Sequence, residues 1–322
     1  MKLISIGGAS RSGSTLLTLL LGEIEGLVAV GELRYIWSRG LDQNMLCGCG
    51  RPFLSCPFWG AVLEEAFGSS KNVPAAEINA LQDSVAQIWH LPQLLAPVKT
   101  PAFAARLEAC VSYLEKLCAG ILTVSGARVI VDSSKLPSYC YLLSRMPGAE
   151  VTLLHLVRDS RAVAFSFLRK KRKPDIHWTE AYMPRFSPLR SARDWDLLNL
   201  GMEAIRRTSL PYRFMRYEDL VRDPDAQLSL VLGGGLNGAG GFTGSRDVAL
   251  STNHTVSGNP LRFSQGSVRL RPDTEWRAAM EPSDHRLVTA LTWPLLTRYD
   301  YLRRSAAARE TFDSFSNERE TE

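Results

Sequence analysis

The segment from Leu3 to Leu21 constrains the fold more than any other. Leu3-Ile4-Ser5-Ile6 is a short apolar run with the character of a buried strand. Gly7-Gly8-Ala9-Ser10-Arg11-Ser12-Gly13-Ser14-Thr15 follows, and Leu16 to Leu21 then opens a helix. Strand, glycine-rich turn and helix N-terminus, in that order, make an anion cradle. Successive amide N–H groups point inward, and the helix dipole adds roughly half a positive charge. The spacing Gly8-x4-Gly13-x-Thr15 is that of a phosphate-binding loop, with Ser14 where a nucleotide triphosphatase carries lysine. The loop is therefore expected to hold a phosphate-like group without the ATP–magnesium arrangement. Arg11 is the nearest cation, and a guanidinium suits a bidentate grip on an oxyanion. A plain Gly/Ser turn between strand and helix is the alternative.

Further apolar runs end in polar residues in the same way. Leu27 to Val30 runs into Gly31-Glu32, Val129 to Val131 into Asp132-Ser133-Ser134-Lys135, and Val151 to Val157 into Arg158-Asp159-Ser160-Arg161. Tyr212 to Tyr217 is followed by Glu218-Asp219-Leu220. Strands alternating with helices predict an α/β fold, an open parallel sheet with helices on both faces. Ligands of such sheets gather beyond the carboxyl ends of the strands, so Glu32, Lys135 and Arg158 fall where chemistry is expected. Ser166, two turns into the helix after Arg158, can face the same ligand, a pairing suited to a phosphomonoester. Each has a plainer reading: Glu32 as a carboxylate at a helix start, Ser133 and Ser134 as caps beside a solvated Lys135, Arg158 as an ion-pair partner near a helix cap. Lys170 to Lys173 reads as a solvated helix end.

Residues 74–125 read as a largely helical insert, broken at Pro92, Pro97 and Pro101, that covers one side of the sheet or acts as a lid. The aromatic, irregular stretch from Trp178 to Pro188 is expected to wall an acceptor pocket. Gly233 to Gly244 reads as a flexible loop. His254 to Arg271 lacks a helical period and carries Arg262, Arg269 and Arg271, a basic loop expected to fold over bound ligand. Trp276 to Tyr299 reads as helix, and a polar tail begins at Ser305. With no repeats and no clear linker, residues 1–304 read as one domain and 305–322 as its tail.

A net charge of +5 fits an anionic ligand and does not by itself imply nucleic acid. No window is apolar enough for a transmembrane helix, and Gly7-Gly8 interrupts the first apolar run too early for a signal peptide. With six cysteines and no export signal, a reducing cytoplasm is expected. Cys47, Cys49 and Cys56 lie close together among prolines. Three thiols fall one short of a tetrahedral zinc site, and His90 is only a remote fourth. The ligand count favours a structural loop, with or without a labile disulfide, over metal.

Taken together, these motifs resemble the sulfotransferases that use 3′-phosphoadenosine 5′-phosphosulfate (PAPS). Arg11-Ser12-Gly13-Ser14-Thr15-Leu16 is similar to that family's 5′-phosphosulfate loop, and Arg158 to Ser166 to its 3′-phosphate motif. Tyr217-Glu218-Asp219-Leu220 is similar to a third segment that the family places near the nucleotide. The resemblance implies PAPS as co-substrate, adenosine 3′,5′-bisphosphate as product and no metal in the transfer. It implies nucleotide contacts from Arg11 to Leu16, Arg158, Ser166, Tyr217 and Arg262. It also implies a base at Glu32, which stands from Arg11 as the glutamate of tyrosylprotein-type members stands from their loop arginine. Arg11 and Lys135 are then expected to stabilise the leaving phosphate. The overall likeness is to bacterial members acting on carbohydrate or small-molecule hydroxyls. The rival classes are a phosphate-loop kinase or nucleotide hydrolase, which requires ATP and magnesium, and a non-catalytic nucleotide-binding protein on the same fold.

Overall fold

A computed structural model describes residues 1–233 and 247–302. The glycine-rich stretch expected beyond Gly233 and the tail from Ser305 lie outside the described residues. The chain begins with β1 (Lys2–Gly7), α1 (Ser14–Gly22) and β2 (Leu27–Gly31). A 3₁₀ turn (Leu33–Tyr35) and a π-helical stretch (Ile36–Asp42) follow. Next come α2 (Pro57–Phe67), α3 (Ala75–Ala86), α4 (Leu91–Leu95) and the long α5 (Pro101–Ser125). The alternation resumes with β3 (Val129–Lys135), α6 (Pro137–Leu143), β4 (Glu150–Val157), α7 (Ser160–Leu168), α8 (Pro188–Ile205) and β5 (Tyr212–Arg216). The described chain closes with α9 (Tyr217–Arg222), α10 (Pro224–Val231), β6 (Asp247–Leu250), β7 (Gly266–Arg269), α11 (Trp276–Ala279) and α12 (Pro282–Arg298).

Among the described residues, five strands form one parallel sheet in the order β2-β3-β1-β4-β5, and β6 and β7 pair antiparallel as a separate two-stranded ribbon. The alternation of β1 explains why helices cover both faces. Leu3 points into a cluster with Ile130, Val151 and Leu153, shared with Leu114, Leu117 and Ile121 of α5. Ile4 and Ile6 point the other way, into a cluster with Leu17 and Leu20 of α1 and Val248 and Leu250 of β6. The helical insert thus packs on one face of the sheet, and no residue of 74–125 lines the cavity described below. Pro57 starts α2 inside a stretch that reads as irregular loop from its cysteines and prolines; proline at a first helical turn loses no hydrogen bond. Met280 and Glu281 divide the expected final helix into α11 and α12. Among the described residues no helix is long and apolar enough to cross a membrane.

Because β1 is flanked by β3 and β4, the carboxyl ends of three strands converge, with that of β2 one strand further out. The chain returns to them late. Val256 pairs with Gly31, its N–H donating to Val30 O (2.8 Å) and its carbonyl accepting from Glu32 N (2.8 Å). This strap, residues 253–262, crosses the strand ends that carry the chemistry.

Candidate active site

The glycine-rich loop closes on itself through Gly13. Its φ of 94° lies in the left-handed region, and a Cβ there would sit 2.3 Å from the Tyr217 ring. Gly13 caps α1 with no side chain, so the amides of Ser14, Thr15 and Leu16 face outward without a protein cap. Arg11 (φ 67°) and Lys135 (φ 68°) are also left-handed, a costly conformation for residues with a side chain and one held at sites that need it. Gly8 N donates to Lys135 O at 3.0 Å, locking the loop to the end of β3.

Over this loop lies a cavity of about 440 Å³. Its cations are Arg11, Arg34, Arg39, Lys135, Arg158, Lys171 and Lys173; its acids are Glu32 and Asp273. That imbalance suits an anionic ligand. Among the described residues, Arg11 Nη2 and Arg158 Nε are buried with no hydrogen-bond partner, two unpaired donors on residues that line the cavity, while Ser12 Oγ is likewise unpartnered but does not line it.

Glu32 is 8% exposed and accepts a hydrogen bond from Lys135 Nζ. Burial alone would raise its pKa, but the charges of Lys135, Arg39 and Arg34 outweigh that cost and hold it below the ordinary glutamate value. It is therefore ionised at neutral pH. Asp132 fixes the backbone that carries it: Asp132 accepts from Leu33 N (3.1 Å), Ser134 Oγ and Ser5 Oγ, and Ser134 Oγ accepts from Arg34 N (3.1 Å). Burial pushes Asp132 up to about 6.

On the other side of the loop, Arg158 donates to Arg11 O (3.1 Å) and to Asp273 Oδ2 (2.6 Å), and its guanidinium lies 4.7 Å from the Tyr217 ring centre. Ser166 and Tyr217 line the same cavity. Asp159 caps α7 and grips Arg161, so this Asp–Arg pair is structural while Arg158 faces the ligand space.

The structure brings together Arg11, Gly13, Ser14, Thr15, Leu16, Glu32, Lys135, Arg158, Ser166 and Tyr217, with Ser12 buried behind the loop. Arg262 does not join them. It is 1% exposed, donates to Thr255 O (2.6 Å) and Leu46 O (2.5 Å), and lies beside Asp175, where it ties the strap to the loop before α2. The strap reaches the cavity through Gly258 and Asn259 instead, and Asn259 N donates to Thr15 Oγ1 at 3.1 Å. Lys171 and Lys173 are cavity residues rather than a solvated helix end; burial, then repulsion from Arg11, Arg169 and Arg158, lowers the Lys171 pKa. Of the stretch from Trp178 to Pro188, Met183, Pro184 and Phe186 line the cavity, whereas Trp178 is exposed.

This glycine-rich loop on a five-stranded parallel sheet has relatives. The sequence profile described as "Sulfotransferase family" matches residues 4–233, and the chain belongs to that family. No curated protein matches it. Among solved structures it is similar to the sulfotransferase domain from the Synechococcus PCC 7002 olefin synthase (20% identity, 90% of this chain and 94% of that one, TM-score 0.48). It is also similar to the sulfotransferase domain from the curacin biosynthetic pathway (17% identity, 89% and 95%, TM-score 0.44).

Proposed function

We propose that the cavity binds PAPS and that the protein transfers its sulfonate to a hydroxyl of a carbohydrate or other small-molecule acceptor. The observation that carries this reading is the buried Glu32–Lys135 pair in a cation-rich cavity over an uncapped glycine loop. The cavity volume falls in the range of ordinary small-molecule sites, roughly 300–1,000 Å³. The unpartnered donors of Arg11 and Arg158 suit phosphate and sulfonate oxygens.

In this reading the loop from Arg11 to Leu16 takes the 5′-phosphosulfate, and Arg158 with Ser166 takes the 3′-phosphate. Tyr217 packs at the loop beside them. The acceptor oxygen bonds to sulfur as the bond from sulfur to the 5′-phosphate oxygen breaks, and the acceptor proton passes to Glu32. Negative charge grows on the departing oxygen, where Arg11, Lys135 and the loop amides offset it; one such donor is typically worth on the order of 10²–10³ in turnover.

Two measurements test this. Thermal-shift titration with adenosine 3′,5′-bisphosphate is expected to stabilise the protein by about 2.7 kcal/mol at a hundredfold excess over Kd, and Arg11→Ala to lose that response. A larger response to ATP with magnesium would favour a kinase instead. Incubation with PAPS and a panel of hydroxylated acceptors, read by mass spectrometry, is expected to yield a sulfonated product. Bisphosphate binding without transfer to any acceptor would leave a nucleotide binder.

A further inference from the structure

Cys47, Cys49 and Cys56 lie just before α2, and a fourth donor reaches them from the strap. It is His254, not His90, which packs against Phe103. The four ligand atoms all lie within 4.8 Å of one another. Cys49 Sγ is 3.8 Å from Cys56 Sγ, and His254 Nδ1 is 3.8 Å from Cys47 Sγ and 3.3 Å from Cys56 Sγ. All three thiols are free. A disulfide needs sulfurs about 2.05 Å apart, far closer than these. A tetrahedral zinc about 2.3 Å from sulfur and 2.0–2.1 Å from nitrogen holds two sulfurs about 3.8 Å apart and a sulfur and a nitrogen about 3.6 Å apart. The sulfur–sulfur separation matches this, and the two sulfur–nitrogen separations of 3.8 and 3.3 Å fall on either side of it.

The surroundings are built for these positions. Gly50, at φ 81°, turns the chain so that Gly50 N donates to Cys47 O (2.8 Å), and Cys47 N donates to Arg51 O (2.8 Å). Gly48 leaves room for the strap: a Cβ there would lie 2.0 Å from Asn253 Oδ1, and Gly48 N donates to Thr255 O (3.0 Å). Phe58 stacks on the imidazole at 4.8 Å, and Trp59 Nε1 donates to His254 O (2.8 Å). The ring and backbone of His254 are thus both held in place.

We propose that Cys47, Cys49, Cys56 and His254 bind one zinc ion that fastens the strap to the loop before α2. Three thiolates and an imidazole form one of the donor sets of structural zinc, and four protein ligands leave no position for substrate. On binding, the three thiols release their protons to solvent. The site lies only a few residues from Gly258 and Asn259, which wall the cavity, so zinc holds the strap against Thr15 and Glu32 without touching the ligand.

The test is elemental analysis of the full chain, as purified and after chelation followed by dialysis against zinc. Near-stoichiometric zinc is expected in both. Cys49→Ser and His254→Ala are expected to lose at least about tenfold in zinc affinity, while His254→Cys, which restores a fourth ligand, retains it. Cobalt substitution is expected to produce the thiolate-to-metal absorption of a tetrahedral site. Wild-type protein that takes up no zinc under either condition overturns the proposal, even if every variant misfolds. Zinc retained in full by both Cys49→Ser and His254→Ala also overturns this ligand set.

Discussion

Replacing Glu32 with glutamine isolates one charge in the site. The amide keeps an oxygen where Lys135 Nζ donates, so the contact survives without the negative charge. A general base at this position would contribute about 10²–10⁴ in turnover, or about 3–5 kcal/mol of barrier at 1.36 kcal/mol per tenfold. The same change leaves Lys135, Arg39 and Arg34 short of a counter-charge. Affinity for adenosine 3′,5′-bisphosphate should therefore hold or tighten while turnover collapses. Stability supplies a third reading. The folded pKa of Glu32 lies below its ordinary value, so its contribution is present above the ordinary value and fades as pH falls through the folded one. Glu32→Gln should lower Tm at pH 7, with 3–5 kcal/mol as the ceiling for breaking a buried pair, and lose that deficit in acid. Steady-state transfer kinetics, nucleotide calorimetry and melting curves at two pH values check the three parts. Unchanged turnover would refute the base assignment, and an equal fall in turnover and affinity would make Glu32 a scaffold residue.

Arg158→Ala should weaken adenosine 3′,5′-bisphosphate by about 10²-fold or more, since two charged hydrogen bonds are worth about 1.5–3 kcal/mol each, yet barely affect adenosine 5′-phosphate; isothermal titration with both ligands decides it. Asp273→Asn should strengthen bisphosphate binding, because Asp273 occupies the Arg158 guanidinium that the 3′-phosphate would use; weaker binding in the same titration would count against that role. Asp132, pushed up to about 6 by burial, favours the folded state protonated, so it costs stability as pH rises from its ordinary 3.8 through 6. The gap of about two pKa units corresponds to about 3 kcal/mol, and Asp132→Asn should flatten the fall in Tm between pH 4 and pH 8 by up to that amount.

What could be read from the sequence was what neighbouring residues decide. Gly8, Gly13 and the apolar runs on either side define the loop and its strand and helix. The polar residues that end each strand, Glu32, Lys135 and Arg158, follow from the alternation of strand and helix. Residues placed by long-range packing were out of reach. Lys171 and Lys173 look like a charged helix end until the bridge between Arg172 and Tyr182 turns that stretch toward the cavity. Arg34 and Arg39 reach it through a 3₁₀ turn and a π-helical stretch with no periodic signature. Arg262 looks like a ligand contact because arginine in a late loop so often is one, yet two backbone carbonyls hold it. The thiols lacked a partner in sequence because His254 lies 198 residues from Cys56.

The strap has a consequence for the order in which the protein is made. All five strands of the parallel sheet are complete once Arg216 has been synthesised, and Gly258 and Asn259 come well after it. A nascent chain can thus finish its sheet and expose the glycine loop while one wall of the cavity is still inside the ribosome. That wall reaches its place only when Val256 docks against Val30 and Glu32.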